Sequence, residues 1–255
     1  MGLAVWMRVA WRATALVVWT TSLFAIRLLV KTATPLSPAF DEWGRRLLLR
    51  IWASGAAAII RMRFRISGAA PKPPYFLVTN HLSYLDIVML SRTSGCVFVS
   101  RADVRQLPFL GFLAAMMNTI FINRESMRDT KRVNEQIAFA MDRGYGVHIF
   151  AESRISQDAQ VHPFKPPLLE PAVQRGCPVH YAAISYRTPE SAPRAHDVIV
   201  WRDDETLPQN MLRVLALPAS EGIIAYGDAP IAGTERKALA NALYHAVQDR
   251  FTPVG

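Results

Sequence analysis

The stretch Tyr75-Phe76-Leu77-Val78-Thr79-Asn80-His81-Leu82-Ser83-Tyr84-Leu85-Asp86 decides the fold. Its first five residues are a short apolar run of strand-forming side chains. Asn80 and His81 follow, and Ser83 then suits the cap of a helix over 83–92. A strand that delivers polar residues to the start of a helix is the repeating joint of an α/β layer fold, and sites gather at such joints. The alternation continues along the chain. Further strands are expected over 97–100, 119–122, 147–150, 179–185, 198–201 and 223–226, and helices over 127–143, 166–175, 208–217 and 234–250. Ser126 with Asp129 reads as a capping box for the 127–143 helix, and Gly144 as its stop. The expected class is α/β, a mixed sheet flanked by helices and preceded by an N-terminal membrane-associated helical pair.

The opening joint carries chemistry as well. Asp86 lies three residues beyond Ser83, in the first turn, where a carboxylate can bend back toward the residue before the cap. His81 and Asp86 can therefore meet. A carboxylate that accepts from one imidazole nitrogen leaves the other free as a base, able to deprotonate an alcohol. The alternative is that Asp86 only completes a capping box and His81 is a turn histidine. The other histidines, His148, His162, His180, His196 and His245, have no partner at a telling spacing and read as structural. The two cysteines, Cys96 and Cys177, lie far apart and suggest neither a disulfide nor a metal site.

Charge separates residues 1–67 from 68–255, and these are the two expected domains. The first segment holds ten Lys/Arg and two acids, so eight of the nine net positive charges lie there, and the remainder is near neutral. A basic patch suits nucleic acid or anionic lipid. Here the basic segment is also strongly apolar, which favours lipid, and the near-neutral remainder argues against nucleic acid. The run 13–26 has no charge and is flanked by Arg8, Arg12, Arg27 and Lys31. It is short for a bilayer span unless Arg12 and Arg27 snorkel. A cleaved signal is disfavoured because no small-residue cleavage site follows. After the breaker Pro35-Leu36-Ser37-Pro38, a second helix is expected over 40–60, capped by Ser37. The pair reads as a hairpin dipping into one leaflet; a single span and a packed soluble pair are the alternatives. Residues 61–66 alternate arginine with Met62, Phe64 and Ile66, as an edge strand does. Residues 107–112, opening Leu107-Pro108-Phe109, read either as core or as an apolar lip toward acyl chains.

Three blocks, in order, resemble the glycerolipid acyltransferase family, whose bacterial members acylate lysophosphatidic acid. The family's N-H-x-x-x-x-D is matched in full by Asn80, His81 and Asp86. Its G-x-I-F-I-D-R stands here as Asn118-Thr119-Ile120-Phe121-Ile122-Asn123-Arg124, with Gly and Asp replaced. Its F-P-E-G-T-R-S stands as Phe150-Ala151-Glu152-Ser153-Arg154-Ile155-Ser156, with Gly lost and an arginine one place early. Pro163-Phe164-Lys165 and Pro178-Val179 are also similar to the family, and order and spacing agree over about 70–230.

The resemblance implies an O-acyltransferase with His81 and Asp86 catalytic. It implies substrate contacts from Asn80, Phe121, Arg124, Glu152, Arg154 and Lys165, with Arg124 on the acceptor's phosphate and Glu152 supporting the acceptor site; Arg154 either replaces the arginine missing at 155 or does not, and Lys165 meets a phosphate of donor or acceptor or faces solvent. An arginine just past a strand end suits bidentate phosphate binding. The alternatives are a solvated Arg124 paired with Glu125 and a purely structural Glu152. Oxyanion stabilisation is expected from N–H groups near the helix start. Expected partners are a lysolipid acceptor, acyl-CoA or acyl-carrier protein as co-substrate, and an anionic membrane surface. No metal or other cofactor is expected, and the location is the cytoplasmic face of the inner or plasma membrane. Lysophosphatidic acid is the first acceptor considered and lyso-ornithine lipid the second. The rival from another class is a non-catalytic lipid-binding membrane protein.

Overall fold

The computed structural model describes residues 2–32 and 34–255. Apolar runs separated by turn residues form one seven-stranded sheet: β1 (Met62–Ser67), β2 (Tyr75–Thr79), β3 (Val97–Arg101), β4 (Ile120–Ile122), β5 (Gly146–Phe150), β6 (Val179–Arg187) and β7 (Ser220–Tyr226). Their order is β1-β7-β6-β2-β5-β3-β4. Five strands, β6-β2-β5-β3-β4, run parallel, whereas β7 is antiparallel to β6 and parallel to β1. The sheet is therefore mixed, as the sequence implies. β1 is its edge, as the alternation of 61–66 implies, and belongs to the sheet rather than to the helical pair with which charge groups it.

Helices cover both faces. One apolar layer joins Leu77, Phe98 and Phe150 to α1 (Leu3–Thr32), α2 (Pro38–Ile60) and α3 (Leu85–Thr93). The other joins Phe76, Val78 and Ile149 to α5 (Met127–Asp142) and α9 (Arg236–Arg250). Central strands covered on both sides are largely apolar, and β2 and β5 are buried at every position. Ser37 caps α2 by accepting from the Phe40 N–H at 3.2 Å. Ser126 likewise accepts from the Asp129 N–H at 3.2 Å, but the box is only half made. The Asp129 carboxylate accepts from the Asn123 N–H and pairs with Arg132 instead of returning to Ser126. Gly144 ends α5 in the left-handed region at φ +80°.

Two expectations change. The run 198–201 is not a strand: Ala195–Val198 forms the short helix α7 and Ile199 and Val200 are buried beyond it. A short apolar run reads alike as strand or buried helical turn. The segment 107–112 opens α4 (Leu110–Met116) after a 3₁₀ turn, with Leu107, Phe109, Leu110 and Phe112 exposed, so it is a lip rather than core. The remaining helices are α6 (Glu170–Gln174) and α8 (Leu207–Ala216).

The N-terminal pair holds the largest correction. The flanking arginines do not snorkel outward. Arg12 is buried and donates to the carbonyls of Leu215 at 2.8 Å and Leu217 at 2.5 Å, capping the end of α8, and Arg8 donates to Ala216. Arg27 pairs with Asp41 and donates to the Met116 carbonyl at 3.1 Å. Arg45 pairs with Glu42 and donates to the carbonyls of Gly95 and Cys96. Trp6, Met7, Trp11, Val17, Val18, Leu29 and Trp43 face outward. The pair thus buries Arg12, Arg27 and Arg45 while leaving a large apolar surface outward, unlike a soluble amphipathic helix.

Candidate active site

His81, Glu152 and Arg124 each stand just beyond a strand of the parallel set, after β2, β5 and β4 respectively. The strand order brings all three to one carboxyl edge, with His81 and Glu152 on neighbouring strands. Arg124 starts three strands from His81, about 14 Å at ordinary strand spacing, a gap its long side chain shortens.

His81 Nδ1 lies 2.7 Å from Asp86 Oδ2. The same oxygen accepts from the N–H groups of Leu82 at 2.8 Å and Ser83 at 3.1 Å. Its other oxygen accepts from the Tyr186 hydroxyl at 2.5 Å. Asp86 is fully buried, and these donors fix the direction of its carboxylate oxygens. As an acceptor it sets the proton on His81 Nδ1, which leaves Nε2 unprotonated. The His81 ring lies flat on Phe150, with centroids 3.6 Å apart and planes 15° apart. Asp86 thus both completes the turn and orients the histidine. No sequence signal marks Tyr186, which acts across 100 residues. It is legible only as a tyrosine whose hydroxyl is buried inside a strand and needs a partner.

Five of the N–H groups at the helix start are already occupied. Those of Leu82 and Ser83 bind Asp86, that of Leu85 binds Ser83 Oγ, and those of Asp86 and Ile87 bind Ser83 and Tyr84 carbonyls. These five are not free to form an oxyanion hole in this geometry, which leaves the Tyr84 N–H as the donor at the helix start that has no such partner among the described residues.

Asn80 is fully buried, and its amide exchanges two bonds with the Ile184 main chain, at 2.7 and 2.9 Å. It ties the end of β2 to β6 instead of facing an acceptor. Phe121 is also buried; its ring packs under the Arg105 guanidinium at 5.6 Å, so it forms a wall rather than a polar contact.

The third block wraps beneath His81. The Ser156 N–H donates to the His81 carbonyl at 2.8 Å, and Ser156 Oγ, 2.6 Å from the Gln160 carbonyl that it donates to, lies 2.9 Å from Glu152 Oε2. Glu152 Oε1 is buried without a partner, and burial pushes this carboxyl up to about 8. Ser153, at the family's glycine position, has φ +68°, and Asn118, at the glycine of the second block, has φ +60°. The backbone keeps the left-handed turns although the glycines are gone. Asn enters that region at little cost; Ser does so at roughly 1–2 kcal/mol. Arg124 is half-buried with Nε lacking a partner, and burial and the nearby Arg101 lower its pKa. No pair with Glu125 forms. Arg154 and Lys165 are exposed and, among the described residues, make no ion pair. The Lys165 N–H donates to the Ala151 carbonyl, so its stem starts beside Glu152.

The other histidines divide. His162 and His196 do have acidic partners, Asp158 at 2.8 Å and Asp197 at 3.0 Å, on the surface. His148 is fully buried on β5; burial holds its imidazole well below the ordinary range, so it is neutral.

Comparison with known proteins agrees with this geometry. The family model described as Acyltransferase matches residues 61–185. A lyso-ornithine lipid O-acyltransferase of Pseudomonas aeruginosa is 34% identical over 160 residues, covering 63% of this chain and 61% of that protein. A 1-acyl-sn-glycerol-3-phosphate acyltransferase of Neisseria gonorrhoeae is 31% identical over 134 residues, 52% of each chain. With these two relatives the match spans less than two thirds of their length. The lyso-ornithine lipid O-acyltransferase of Rhizobium meliloti is 30% identical over 236 residues, covering 88% of this chain and 78% of that one. The crystal structure of the 1-acyl-sn-glycerophosphate acyltransferase from Thermotoga maritima has the same fold, with a TM-score of 0.62 at 18% identity over 93% of this chain and 95% of that one. With the histidine–aspartate pair, the three blocks in order and a relative aligned over most of both chains, this chain belongs to the acyltransferase family.

Proposed function

We propose that this protein transfers a fatty acyl group from an acyl thioester to the hydroxyl of a lysolipid, with His81 as general base. The observation that carries the reading is the bond from Asp86 to His81 Nδ1, which leaves Nε2 as the basic nitrogen. Nε2 takes the proton of the acceptor hydroxyl as its oxygen attacks the thioester carbonyl. The tetrahedral intermediate collapses, the C–S bond breaks, and the imidazolium returns the proton to the departing thiolate. The donor is acyl-CoA or acyl-carrier protein, and its acyl carbon goes directly to the acceptor.

Arg124, Arg154 and Lys165 are free cations at or near the strand ends and suit an anionic head group. Glu152 Oε1, buried and unpartnered, suits a hydroxyl or ammonium of the acceptor. The relative aligned over the larger share of this chain is named for lyso-ornithine lipid, so that acceptor takes precedence here, with lysophosphatidic acid second. An ornithine head group offers a carboxylate and an ammonium, which cations beside a buried carboxyl can match.

The helical pair lies in one leaflet with its outward tryptophans in the interface. α1 is long and apolar enough to cross a membrane, but Arg8 and Arg12 hold one third of it to α8 and Arg27 holds the other end at α4. A helix fastened along the domain at both ends cannot leave it to span a bilayer. Phe24 of α1 meets Phe112 at 5.0 Å, which makes the exposed 107–112 lip continuous with the helical surface. This apolar surface runs toward the strand-end site and gives a lysolipid a route from the leaflet. The cytoplasmic face is the side where acyl thioesters are available.

The test is lipid mass spectrometry of products from a panel of lysolipids, given an acyl thioester and the full chain in vesicles. A two-chain ornithine lipid or phosphatidic acid, with matching thiol release, supports the reading. Binding without thiol release for every lysolipid favours the lipid-binding rival and ends it.

A further inference from the structure

His148 is a buried polar side chain that the chemistry above does not use. It sits in the middle of β5, opposite Leu77 on β2 and Phe98 on β3, and is inaccessible to solvent. A hydrophobic residue would fill this place between strands at lower cost, because burying an imidazole requires its nitrogens to find partners. Only one does. Nε2 lies 3.0 Å from Thr79 Oγ1, and Thr79 Oγ1 donates its own proton to the Asn80 carbonyl at 2.8 Å. The hydroxyl must therefore accept from His148, which places the proton on Nε2 and leaves Nδ1 bare. Nδ1 is buried and has no partner. An unmade bond of this kind costs about 1–3 kcal/mol.

Two paths lead from this ring to His81. The first runs through the strand end: His148 holds Thr79, Thr79 holds the Asn80 carbonyl, and His81 is the next residue. The second runs through the rings. His148 meets Phe150 edge to face at 4.5 Å and 79°, and the opposite histidine, His81, lies flat on Phe150. Phe98 buttresses His148 from behind at 5.6 Å. The imidazole of His81 is thus fixed in its plane by Phe150, along its edge by Asp86, and at its backbone by the Thr79 bond. His148 touches two of these three supports.

We infer that His148 is a positioning residue for His81, acting as a neutral hydrogen-bond donor to Thr79 and as the edge on which Phe150 rests. This rests on the proposed role of His81 as base. A misplacement of a reacting group by about 1 Å costs up to 10²-fold in rate, whereas loss of a structural bond alone lowers stability and leaves turnover of the folded protein unchanged.

The experiment compares His148→Phe, His148→Gln and Thr79→Val in the full chain, by kcat, KM and thermal midpoint. It also reads the low-field Nδ1–H proton resonance of His81, which reports ring placement whether or not the protein turns over. His148→Phe keeps the ring but removes the donor. It should lower kcat about 10-fold with KM unchanged, broaden or remove the His81 resonance, and leave the midpoint level or raised because the orphaned nitrogen is gone. His148→Gln restores a donor and should recover most of kcat. Thr79→Val removes the same bond from the other side, and the double variant should lose no more than the single ones. If His148→Phe is unstable, the Thr79→Val and His148→Gln arms carry the same comparison. Wild-type kcat and an unmoved resonance in His148→Phe would overturn the inference, as would additive losses in the double variant. A moved resonance in a protein that transfers no acyl group under any condition would instead count against His81 as base and leave the positioning intact.

Discussion

The N-terminal pair and the strand-end site treat charge in opposite ways. At the strand ends, ionisable groups stand at the edge of an apolar core: His81 is mostly buried with one edge open, Asp86 lies beneath it, and Arg154 and Lys165 face solvent. In α1 and α2 the order is inverted, with Arg12, Arg27 and Arg45 inside and Trp6, Trp11 and Trp43 outside. Charge at the edge of a site stays available to a ligand; charge beneath a helix fastens it. On the proposed reading the same residue type serves a ligand in one region and assembly in the other, and substitutions should separate the two by what each assay loses.

The largest effect belongs to the site. His81→Ala removes the proposed base and should lower kcat by roughly 10²- to 10⁴-fold with the thermal midpoint little changed. Near-normal turnover in the folded variant would break the comparison at its strongest point. The counterpart in the helical pair is Arg27→Met, which leaves Asp41 buried without its partner. Removing one member of a buried pair costs about 3–5 kcal/mol, read as a lower midpoint in detergent, with kcat per folded molecule retained. Adding Asp41→Leu should recover most of that loss. A single variant with an unchanged midpoint would mean that Arg27 does not fasten α1.

Glu152→Gln should reverse its effect with pH. The carboxyl is raised from an ordinary 4.5 to about 8 by burial, so the folded state holds a proton that the unfolded state has lost. Wild-type stability therefore falls as pH rises from about 4.5 to about 8 and stays lower above that. Gln carries no charge and removes that slope. The variant's midpoint should gain on the wild type between pH 5 and 8.5 by chemical denaturation; parallel curves would show that Glu152 is ionised at its site. A smaller effect is expected outside. Trp11→Ser with Trp43→Ser should weaken partition into anionic vesicles severalfold while changing the midpoint little, since both side chains already face outward. Equal partition would remove these tryptophans from the interface.

Much of this was legible in the chain because local patterns carried it. The run 75–79, the cap at Ser37 and the spacing from His81 to Asp86 are all local, and each is found where the pattern put it. What escaped depends on distant partners. Tyr186 reaches Asp86 from another strand, Asn80 turns to Ile184 rather than outward, and His148 gains meaning only beside Thr79 and Phe150. The direction of Arg12 and Arg27 was illegible for the same reason: a flanking arginine looks alike whether it points to lipid or to a carbonyl of α8. The lost glycines misled differently. The letters differ at 118 and 153, yet both residues have positive φ, the region glycine favours, so the changed letters conceal a glycine-like backbone.

The smallest effect, and the finest test of the contrast, lies at Arg154. It occupies the place just after the strained Ser153, is exposed, and among the described residues pairs with no carboxylate. The family's arginine stands one residue later, where this chain has Ile155. Neighbouring residues in a turn point in different directions, so a guanidinium moved by one position meets a head group from another side. An exposed cation binding an anion through solvent contributes little more than a surface pair, about 0.2–1 kcal/mol, or a change in KM of a few fold. Arg154→Ala should therefore raise KM for the lysolipid a few fold, leave KM for the acyl thioester unchanged, and leave kcat and the midpoint at wild-type values. A fall in midpoint would move Arg154 to the fastening class of Arg27. No change in either KM would assign it to solvent, with Arg124, half-buried and unpaired, as the main anion contact.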